Sequence, residues 1–460
     1  MAKLNKEIFG CLREIFGDKG LITDFYDVAC YGFDASGIES LPLAVVFPEN
    51  KEQISLLLKR CNDWKLPVTP RGSASATTGA AVPASNGVVL CLSRMNKIIN
   101  VDPVELTACV EPGVITGVLQ KEVEKYGLFY PPDPASLNFC TIGGNVSTCA
   151  GGARAVKYGV TKDYVRSLEV VLSDGSIIET GAKTSKGVVG YDLTRLFVGS
   201  EGTLGVITKI VLKLVPLPDR VKTICVGFLN VQHAVDAVTC LFVSGILPRC
   251  AEFIDKKTLS LIKKEFPFEI KDDTKALLII ESDGSPSQVD EEAKKIIGCA
   301  KKNNATVIFE ATNDDERESI WQARRGISPS LKRKGFDRKV SEDICVPRKE
   351  IGNFLDFLDT LSIKDQVEIF SFGHIGDGNI HVNLLFNNND QKILSKVDEI
   401  ICSIMNRVID LGGTISGEHG VGLTKKPFIT IELDKKVIAL HREIKMVFDP
   451  NNILNPGKIF

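Results

Sequence analysis

The amino-acid sequence predicts an α+β protein built from more than one domain, and three features support this fold class. The chain has 460 residues, enough for about two or three domains with large cores. Pro216 and Pro218 close a predicted strand at 206–215 and mark a domain boundary. From Lys222 onward, short apolar strands alternate with amphipathic helices, which predicts a sheet with helices on one face.

Hydrophobic periodicity and turn residues define the individual elements. The N-terminal half is predicted to contain helices at 4–16, 51–64 and 114–125, strands at 43–47, 88–92 and 107–110, and a hairpin of strands 165–172 and 176–180. The C-terminal half is predicted to contain strands at 223–228, 276–281 and 306–309 and helices at 231–243, 288–301, 315–328 and 393–411.

Composition excludes several classes of function. Apolar residues make up 44% and charged residues 25% of the chain, and the net charge of −2 gives nucleic-acid binding no electrostatic support. The thirteen cysteines form no C-x-x-C motif, so neither an iron–sulfur cluster nor a cysteine zinc site is indicated. The first residues lack a signal-peptide core, and the apolar stretch at 237–247 is too short to span a bilayer. We therefore expect a protein that is cytoplasmic, or that is attached to the inner membrane only through partners.

Two nucleotide-binding motifs are missing from the sequence. No G-x-G-x-x-G follows a predicted strand, and no G-x-x-x-x-G-K-[ST] occurs anywhere in the chain. A Rossmann domain and a P-loop NTPase are both disfavoured.

Three of the five histidines fall in two glycine-rich segments, 372–383 and 417–422. Asp377-Gly378 suits a two-residue hairpin turn, which predicts that His374 and His381 lie directly opposite each other. Two imidazoles at that spacing can share a divalent ion, with Glu418 as the third ligand. Two histidines and one carboxylate with open positions are typical of a catalytic metal site. The alternative is a set of ordinary polar residues around a glycine-rich turn.

Three further segments have the composition of binding sites. The loop at 67–79 is rich in small and hydroxylated residues, which suits a nest of amides around an anion, with Arg71 adding charge, although an ordinary loop fits equally well. Four glycines in 141–152 permit close approach to a flat ligand. Arg324 and Ser328 share one face of a predicted helix and can bind a carboxylate, unless this basic segment is simply solvated.

The motifs occur in an order that resembles a known family. They are Pro70-Arg-Gly, Ile142-Gly-Gly-Asn, Lys157-Tyr-Gly, Gly199-Ser-Glu-Gly-Thr-Leu-Gly-Val-Ile207, the two histidine segments and Asn455-Pro-Gly-Lys. Together they resemble the FAD-linked 2-hydroxyacid dehydrogenases of the vanillyl-alcohol-oxidase fold. This group includes D-lactate dehydrogenases, the flavin subunit of glycolate oxidase and D-2-hydroxyglutarate dehydrogenase.

The resemblance implies an FAD-binding domain at 1–217, an α+β cap domain with the metal hairpin at 218–412, and a C-terminal segment at 413–460 that returns to the flavin. Relatives often carry more glycine in the pyrophosphate loop, where this chain has Ala74, Ala76 and Ala80. No histidine precedes His233, so non-covalent FAD is expected. The implied FAD contacts are Pro70, Arg71, Gly72, Ser73, Ala74, Ser75, Pro132, Thr141, Gly144, Asn145, Ser147, Gly151, Glu201, Gly202, Ile207 and Asn455.

The resemblance also implies a reaction and the residues that perform it. A small 2-hydroxy acid, with D-lactate favoured and glycolate a close rival, is oxidised to the 2-oxo acid by hydride transfer to flavin N5. His419 matches the general base, and the metal ligands would hold zinc, with iron or manganese as alternatives. The matched metal ligands are His374, His381 and Glu418, and the matched substrate contacts are Arg324, Ser328, Lys339 and Asn383.

Reduced FAD must pass its electrons to a quinone, an electron-transfer flavoprotein or an iron–sulfur subunit. A homodimer is also compatible with the sequence. Two other classes of function remain as alternatives. A metallohydrolase would use the same His/His/Glu set to activate water. A non-catalytic flavin-bearing subunit would explain the glycine-rich motifs without the histidines.

Overall fold

The computed structural model describes residues 2–365, 367–387 and 391–460. Met1, where the first predicted domain begins, lies outside the described residues. The chain forms two compact units, which we call unit 1 and unit 2. Unit 1 comprises Met1–Gly151, Val160–Leu217 and Glu418–Phe460, and unit 2 comprises Gly152–Gly159 and Pro218–Gly417. Within the described ranges, no helix has both the length and the apolar character that crossing a membrane requires.

The helices and strands are numbered here in chain order. The helices are α1 (Ala2–Phe16), α2 (Phe25–Ala29), α3 (Lys51–Trp64), α4 (Thr116–Glu124), α5 (Ile142–Thr148), α6 (Ala155–Tyr158), α7 (Leu193–Phe197), α8 (Val231–Val243), α9 (Lys256–Ile262), α10 (Pro286–Lys302), α11 (Asp314–Arg325), α12 (Ile327–Lys332), α13 (Ile351–Asp365), α14 (Gln391–Asp410), α15 (Ile429–Glu432) and α16 (Lys435–Phe448). The strands are β1 (Leu21–Ile22), β2 (Ala44–Val46), β3 (Val68–Arg71), β4 (Val88–Cys91), β5 (Ile98–Asp102), β6 (Thr107–Val110), β7 (Leu128–Phe129), β8 (Val165–Val171), β9 (Ile177–Gly181), β10 (Val206–Lys213), β11 (Val215–Pro216), β12 (Arg220–Phe228), β13 (Cys250–Asp255), β14 (Ala276–Gly284), β15 (Val307–Glu310), β16 (Arg338–Cys345), β17 (Glu368–His374) and β18 (Asn379–Phe386).

Unit 1 contains two main sheets. The first has the order β1-β2-β4-β3, in which β2, β4 and β3 run parallel. The second is antiparallel and has the order β5-β6-β10-β8-β9, with the predicted β8–β9 hairpin confirmed. Apolar residues of α1 and α3, such as Leu12 and Leu57, pack with Val68 and Leu90 in one buried core. The predicted helices at 4–16 and 51–64 are therefore confirmed, because their apolar stripes face this core.

Unit 2 is organised around one antiparallel sheet of seven strands, in the order β15-β12-β14-β13-β17-β18-β16. Leu277 and Ile279 of β14 point into a core shared with α9, α11 and α12. Leu278 and Ile280 point to the opposite face, where they are also buried, and α8 and α10 contact the same strand. The prediction of helices on one face only is therefore wrong, and the continuous apolar run of β14 reflects burial on both sides.

The predicted helix at 315–328 is divided in the structure. α11 ends at Arg325 and α12 begins at Ile327, so Arg324 and Ser328 lie on different helices. Pro329 has no N–H to donate to the carbonyl of Arg325, and its ring would crowd that carbonyl. The proline explains why the continuous helix predicted from the apolar pattern is interrupted here.

The histidine hairpin forms, but in a different register from the predicted one. His374 pairs with Asn379 and Phe372 pairs with His381, so the loop has the four residues 375–378. The carbonyl of His374 accepts hydrogen bonds from the amides of Asp377 and Gly378. The prediction that His374 and His381 pair directly is therefore wrong, because the observed register differs from it by two residues. A shift of two keeps every side chain on its predicted face, so both histidines still project from the same side.

Candidate active site

Polar residues gather on one face of the unit 2 sheet, beside α11 and α12. On β16, Lys339, Ser341 and Asp343 pair with Leu385, Asn383 and His381 of β18. Because alternate residues of a strand share a face, these side chains and those of Phe372 and His374 project together. The face thus combines a histidine pair, a buried carboxylate and a lysine on rigid strands. The strands carry four predicted site residues, and the adjacent helices α11 and α12 carry two more: Lys339, His374, His381 and Asn383 on the strands, Arg324 and Ser328 on the helices.

The two histidines of the hairpin meet through their Nε2 atoms. His374 Nε2 and His381 Nε2 are 3.4 Å apart, and the ring planes are inclined at 87°. Two nitrogens that bind one tetrahedral zinc ion at about 2.0–2.1 Å stand about 3.4 Å apart. The pair therefore has the spacing of two ligands of a single ion, and the same spacing also allows a weak N–H···N hydrogen bond between the rings.

Asp343 was not predicted, but it lies beside the histidine pair. Its side chain is fully buried, and one oxygen is 3.7 Å from His381 Nδ1. The carboxylate accepts hydrogen bonds from Asn379 Nδ2 at 2.7 Å and from the amide of Gly417 at 3.0 Å. A buried carboxylate requires such partners. Strand β16 carries few apolar residues, so the hydrophobic pattern gave no signal for it.

Glu252 of β13 was also missed, because a single glutamate within a short apolar strand carries no motif. It is 1% exposed. One oxygen forms a hydrogen bond with His374 Nδ1, and the other is 2.6 Å from Arg324 Nη2. Burial alone would raise the pKa of Glu252, but the neighbouring His374 and Arg324 outweigh burial and lower it. We therefore treat Glu252 as a charged carboxylate.

The predicted substrate contacts all lie in unit 2, where two of them are joined. Lys339 Nζ donates a hydrogen bond of 2.9 Å to Ser328 Oγ. Burial, with a smaller effect of Lys332, lowers the pKa of Lys339 to about 8. Asn383 is buried and its Oδ1 accepts a 2.8 Å hydrogen bond from Ser341 Oγ. Lys339 and Arg324 are the two cationic side chains of this set, and cations of this kind pair with anions such as carboxylates.

The residues predicted to contact FAD all lie in unit 1, and the loop that begins at Arg71 shows how its backbone is held. Arg71 is buried and donates Nη1 hydrogen bonds to the carbonyls of Tyr31 and Phe33. Gly72 packs so closely on Thr141 Oγ1 that a Cβ at this position would clash. Ala74 adopts φ 51°, a left-handed conformation that alanine rarely takes. The alanine in place of glycine therefore does not prevent a left-handed loop.

Thr141 and Asn145 fix the glycine-rich helix α5 in unit 1. The Thr141 side chain caps the helix by accepting a 3.2 Å hydrogen bond from the amide of Gly144. Asn145 Nδ2 donates a 2.7 Å hydrogen bond to Thr116 Oγ1. Pro132 contributes its carbonyl to Gln120 Nε2 at 2.9 Å. These bonds hold the predicted cofactor segments together within the unit.

Glu201 ties the C-terminal segment to the rest of unit 1. Its carboxylate accepts hydrogen bonds from the amides of Val421 at 2.7 Å and Gly422 at 2.9 Å. Burial raises the pKa of Glu201 to about 7, although these amides lower it. Asn455 Nδ2 donates to the Glu201 carbonyl at 2.7 Å. The Asn455-Pro-Gly-Lys ending is therefore an ordered part of unit 1.

Glu418 and His419 also belong to unit 1 and follow directly on Gly417, the last residue of unit 2. Glu418 lies against Gly151, where an added Cβ would be 2.5 Å from its Oε1. The carbonyl of His419 accepts a 3.3 Å hydrogen bond from Thr78 Oγ1. Gly420 takes φ 81°, so the backbone turns immediately after the histidine.

Comparison with known proteins identifies the family. Residues 42–181 match the family described as "FAD binding domain", and residues 217–459 match "FAD linked oxidases, C-terminal domain". The glycolate oxidase subunit GlcD of Bacillus subtilis is 42% identical over 94% of this chain and 92% of its own. The D-lactate dehydrogenase of Anaerostipes hadrus is 34% identical over 97% of this chain and 94% of its own.

The chain belongs to the FAD-linked oxidases. It is an FAD-linked oxidoreductase related to the two enzymes above. Among solved structures, p-cresol methylhydroxylase superposes on this oxidase with a TM-score of 0.82 at 19% identity, covering 100% of this chain and 97% of the other. This likeness confirms the predicted α+β vanillyl-alcohol-oxidase fold. The family membership leaves the metallohydrolase alternative without support.

FAD is the cofactor of this family, and unit 1 of the oxidase offers polar atoms that fit it. Thr77 Oγ1, in the predicted pyrophosphate loop, and Asn455 Oδ1 are buried without a hydrogen-bond partner among the described residues. Buried polar atoms in proteins are almost always satisfied. Two such atoms in segments predicted to contact FAD indicate that a bound group completes their hydrogen bonds.

Proposed function

We propose that this oxidase oxidises a small 2-hydroxy acid to the 2-oxo acid with FAD as the electron acceptor. The observation that carries the proposal is the unit 2 sheet face, where the histidine pair shares one surface with Arg324 and Lys339. A 2-hydroxy acid carries a carboxylate, which suits the two cations, and a hydroxyl, which must lose a proton as it is oxidised. Relatives that cover almost the whole chain are named as glycolate oxidase subunits and D-lactate dehydrogenases.

In the proposed mechanism, the protein binds the substrate and moves its proton. Arg324 binds the carboxylate through its guanidinium, and Lys339, Ser328 and Asn383 complete the contacts. His419 acts as the general base and takes the proton of the substrate hydroxyl onto a ring nitrogen. Bound FAD would supply flavin N5 as the acceptor for the hydride that leaves the substrate Cα.

We propose His374, His381 and Glu418 as ligands of a divalent ion, zinc in the first instance, with iron or manganese as alternatives. The donor set supports this assignment, because the two Nε2 atoms have the separation of two ligands of one tetrahedral ion. Such an ion would lower the pKa of the substrate hydroxyl and stabilise the alkoxide.

FAD is proposed to bind non-covalently to the residues predicted from the sequence, with 1–217 as its domain, 218–412 as the cap and 413–460 as the returning segment. The contacts that support this proposal lie within unit 1, in the loop after Arg71, at the capped helix α5 and around Glu201. No histidine stands in the chain before His233 to form a covalent link.

Electrons must leave the reduced flavin through a partner. One relative is named as a subunit of glycolate oxidase, which supports an assembly with other chains. We propose an iron–sulfur subunit, a quinone or an electron-transfer flavoprotein as the acceptor. All thirteen cysteines are free thiols, in keeping with a reducing cytoplasmic location and with peripheral membrane attachment only through a partner.

Two substrates are the leading candidates. Both acids carry the carboxylate and the hydroxyl that the proposed residues would bind. We keep D-lactate as the first candidate, and the identity of 42% to a glycolate oxidase subunit, against 34% to a D-lactate dehydrogenase, supports glycolate as its rival.

Turnover with an artificial electron acceptor tests the proposal. The purified protein is assayed with D-lactate, L-lactate and glycolate, before and after dialysis against a chelator and after zinc, manganese or iron is restored. We expect one of the three acids to reduce the dye, and chelation to remove that activity until a metal returns. Full activity in metal-free protein would contradict the role of the metal, and no activity with any acid would contradict the substrate class.

A further inference from the structure

Glu252 is a buried acid that holds two different residues of the proposed site, and the proposed mechanism gives it no task. It lies on β13, with its side chain 1% exposed in unit 2. Oε1 forms a hydrogen bond with His374 Nδ1, and Oε2 is 2.6 Å from Arg324 Nη2. One carboxylate therefore contacts both a proposed metal ligand and the proposed substrate-binding cation.

The bond to His374 determines which ring nitrogen is available. A neutral imidazole carries its proton on one nitrogen only, and a carboxylate partner at Nδ1 keeps the proton there. The lone pair is then on Nε2, the atom that lies 3.4 Å from His381 Nε2. Carboxylate partners of this kind orient metal-binding histidines and strengthen their affinity for the ion.

The bond between Glu252 and Arg324 holds the guanidinium in place. Arg324 is 7% exposed, and its guanidinium lies over the Phe372 ring, 4.6 Å from the ring centre. A buried guanidinium needs a charged partner. Glu252 supplies that partner at one end of the guanidinium, so the remaining nitrogens are held in one orientation.

We propose that Glu252 is a positioning residue that couples the metal ligand His374 to the substrate-binding Arg324. Loss of its charge weakens metal binding and carboxylate binding together, although Glu252 touches neither metal nor substrate. The inference rests on the proposed function for the roles of His374 and Arg324.

Glu252→Gln tests the coupling, because glutamine keeps the shape and removes the charge. Glu281→Gln is the matched control: Glu281 is equally buried on the same sheet face and pairs with Arg249 and Arg317, outside the histidine pair. Zinc affinity of the full-length, metal-depleted protein is measured by competition with a chromophoric chelator. We expect about a 10–100-fold loss in Glu252→Gln and little change in Glu281→Gln. Oxamate binding, followed by the perturbation of the flavin spectrum, should weaken in Glu252→Gln alone.

A second measurement needs neither metal nor activity. The chain has five histidines, so ¹⁵N-histidine labelling gives an NMR spectrum that His374→Ala can assign. In metal-free wild type, His374 should be protonated at Nδ1 and unprotonated at Nε2. This tautomer decides the role of Glu252 toward His374 even if Glu252→Gln does not fold.

The outcomes separate this inference from the proposed function. Equal zinc affinity in wild type and Glu252→Gln, or His374 protonated at Nε2, overturns the inference and leaves the 2-hydroxy acid reaction intact. Wild-type protein that binds no zinc at the histidine pair overturns the metal role and the coupling together. Parallel loss of zinc and oxamate binding in Glu252→Gln alone supports the coupling.

Discussion

Lys339 shows how burial tunes a single residue of the proposed site. Its pKa of about 8 lies within the range of a routine pH titration. The protonated ammonium, present below that pH, attracts a substrate carboxylate, and the neutral amine above it does not. We predict that KM is constant below about pH 8 and rises about tenfold per pH unit above it.

Lys339→Arg should move this rise to higher pH, because a guanidinium stays charged throughout the range. The measurement is steady-state KM from pH 6 to 10. Lys334→Arg is the control. Lys334 stands close to Lys339 in the sequence, but its side chain forms an ion pair with Glu368. A KM profile that is unchanged in Lys339→Arg would show that Lys339 does not bind the carboxylate.

We propose that His419 takes the substrate proton as the general base. Substitution of a general base typically lowers the rate about 10²–10⁴-fold. We predict a loss of that size in kcat for His419→Ala, while absorbance near 450 nm shows that FAD stays bound. His441→Ala is the matched control, because His441 stacks on Phe460 at 4.7 Å between ring centres and has no predicted role. Turnover close to wild type in His419→Ala would remove this residue from the mechanism.

The histidine hairpin shows what an element requires beyond its own sequence. Gly378 has φ 90°, and an added Cβ would clash with the carbonyl of Val346. Gly335 has a similar φ of 84°, but a Cβ added there would meet no heavy atom of the described residues within 4 Å. Gly335→Ala should therefore lower the free energy of unfolding only by the cost of a left-handed alanine, about 1–2 kcal/mol. Gly378→Ala should lower it further, because the added Cβ also clashes.

Urea unfolding, together with zinc affinity, measures this difference. The larger loss of stability in Gly378→Ala should be accompanied by weaker zinc binding, because the loop sets the distance between His374 and His381. Equal losses in the two variants, with zinc binding retained, would show that the loop does not control the histidine pair.

Local patterns predicted most individual elements, and tertiary contacts decided the exceptions. The Asp377-Gly378 dipeptide correctly marked the turn, but the amide of Gly376 bonds to Ala251 and the carbonyl of Gly378 accepts from Val346. These contacts with neighbouring strands extend the loop to four residues, which turn statistics for an isolated hairpin do not anticipate. The shared face of the two histidines was predictable because it depends only on strand parity.

At the scale of the whole molecule, the order of the motifs predicted the fold and the family, whereas the surroundings of the site were not visible in the sequence. Glu252 and Asp343 stand far apart in the chain and join the site only when β13 and β16 enter the same sheet. Residues 152–159 belong to unit 2 although they lie among segments of unit 1. Lys157 and Tyr158 bond there to the buried Asp283. Such long-range pairings leave no periodic signal along the chain.

The most direct test of the central claim is the absorption spectrum of the purified protein under anaerobic conditions. We expect a flavin band near 450 nm that D-lactate or glycolate bleaches, and we expect these acids to leave the band unbleached once a chelator has removed the metal. Bleaching without an external acceptor would show hydride transfer from a 2-hydroxy acid to the bound flavin. A yellow protein that none of these acids bleaches, or a colourless protein that does not take up FAD, would contradict the account.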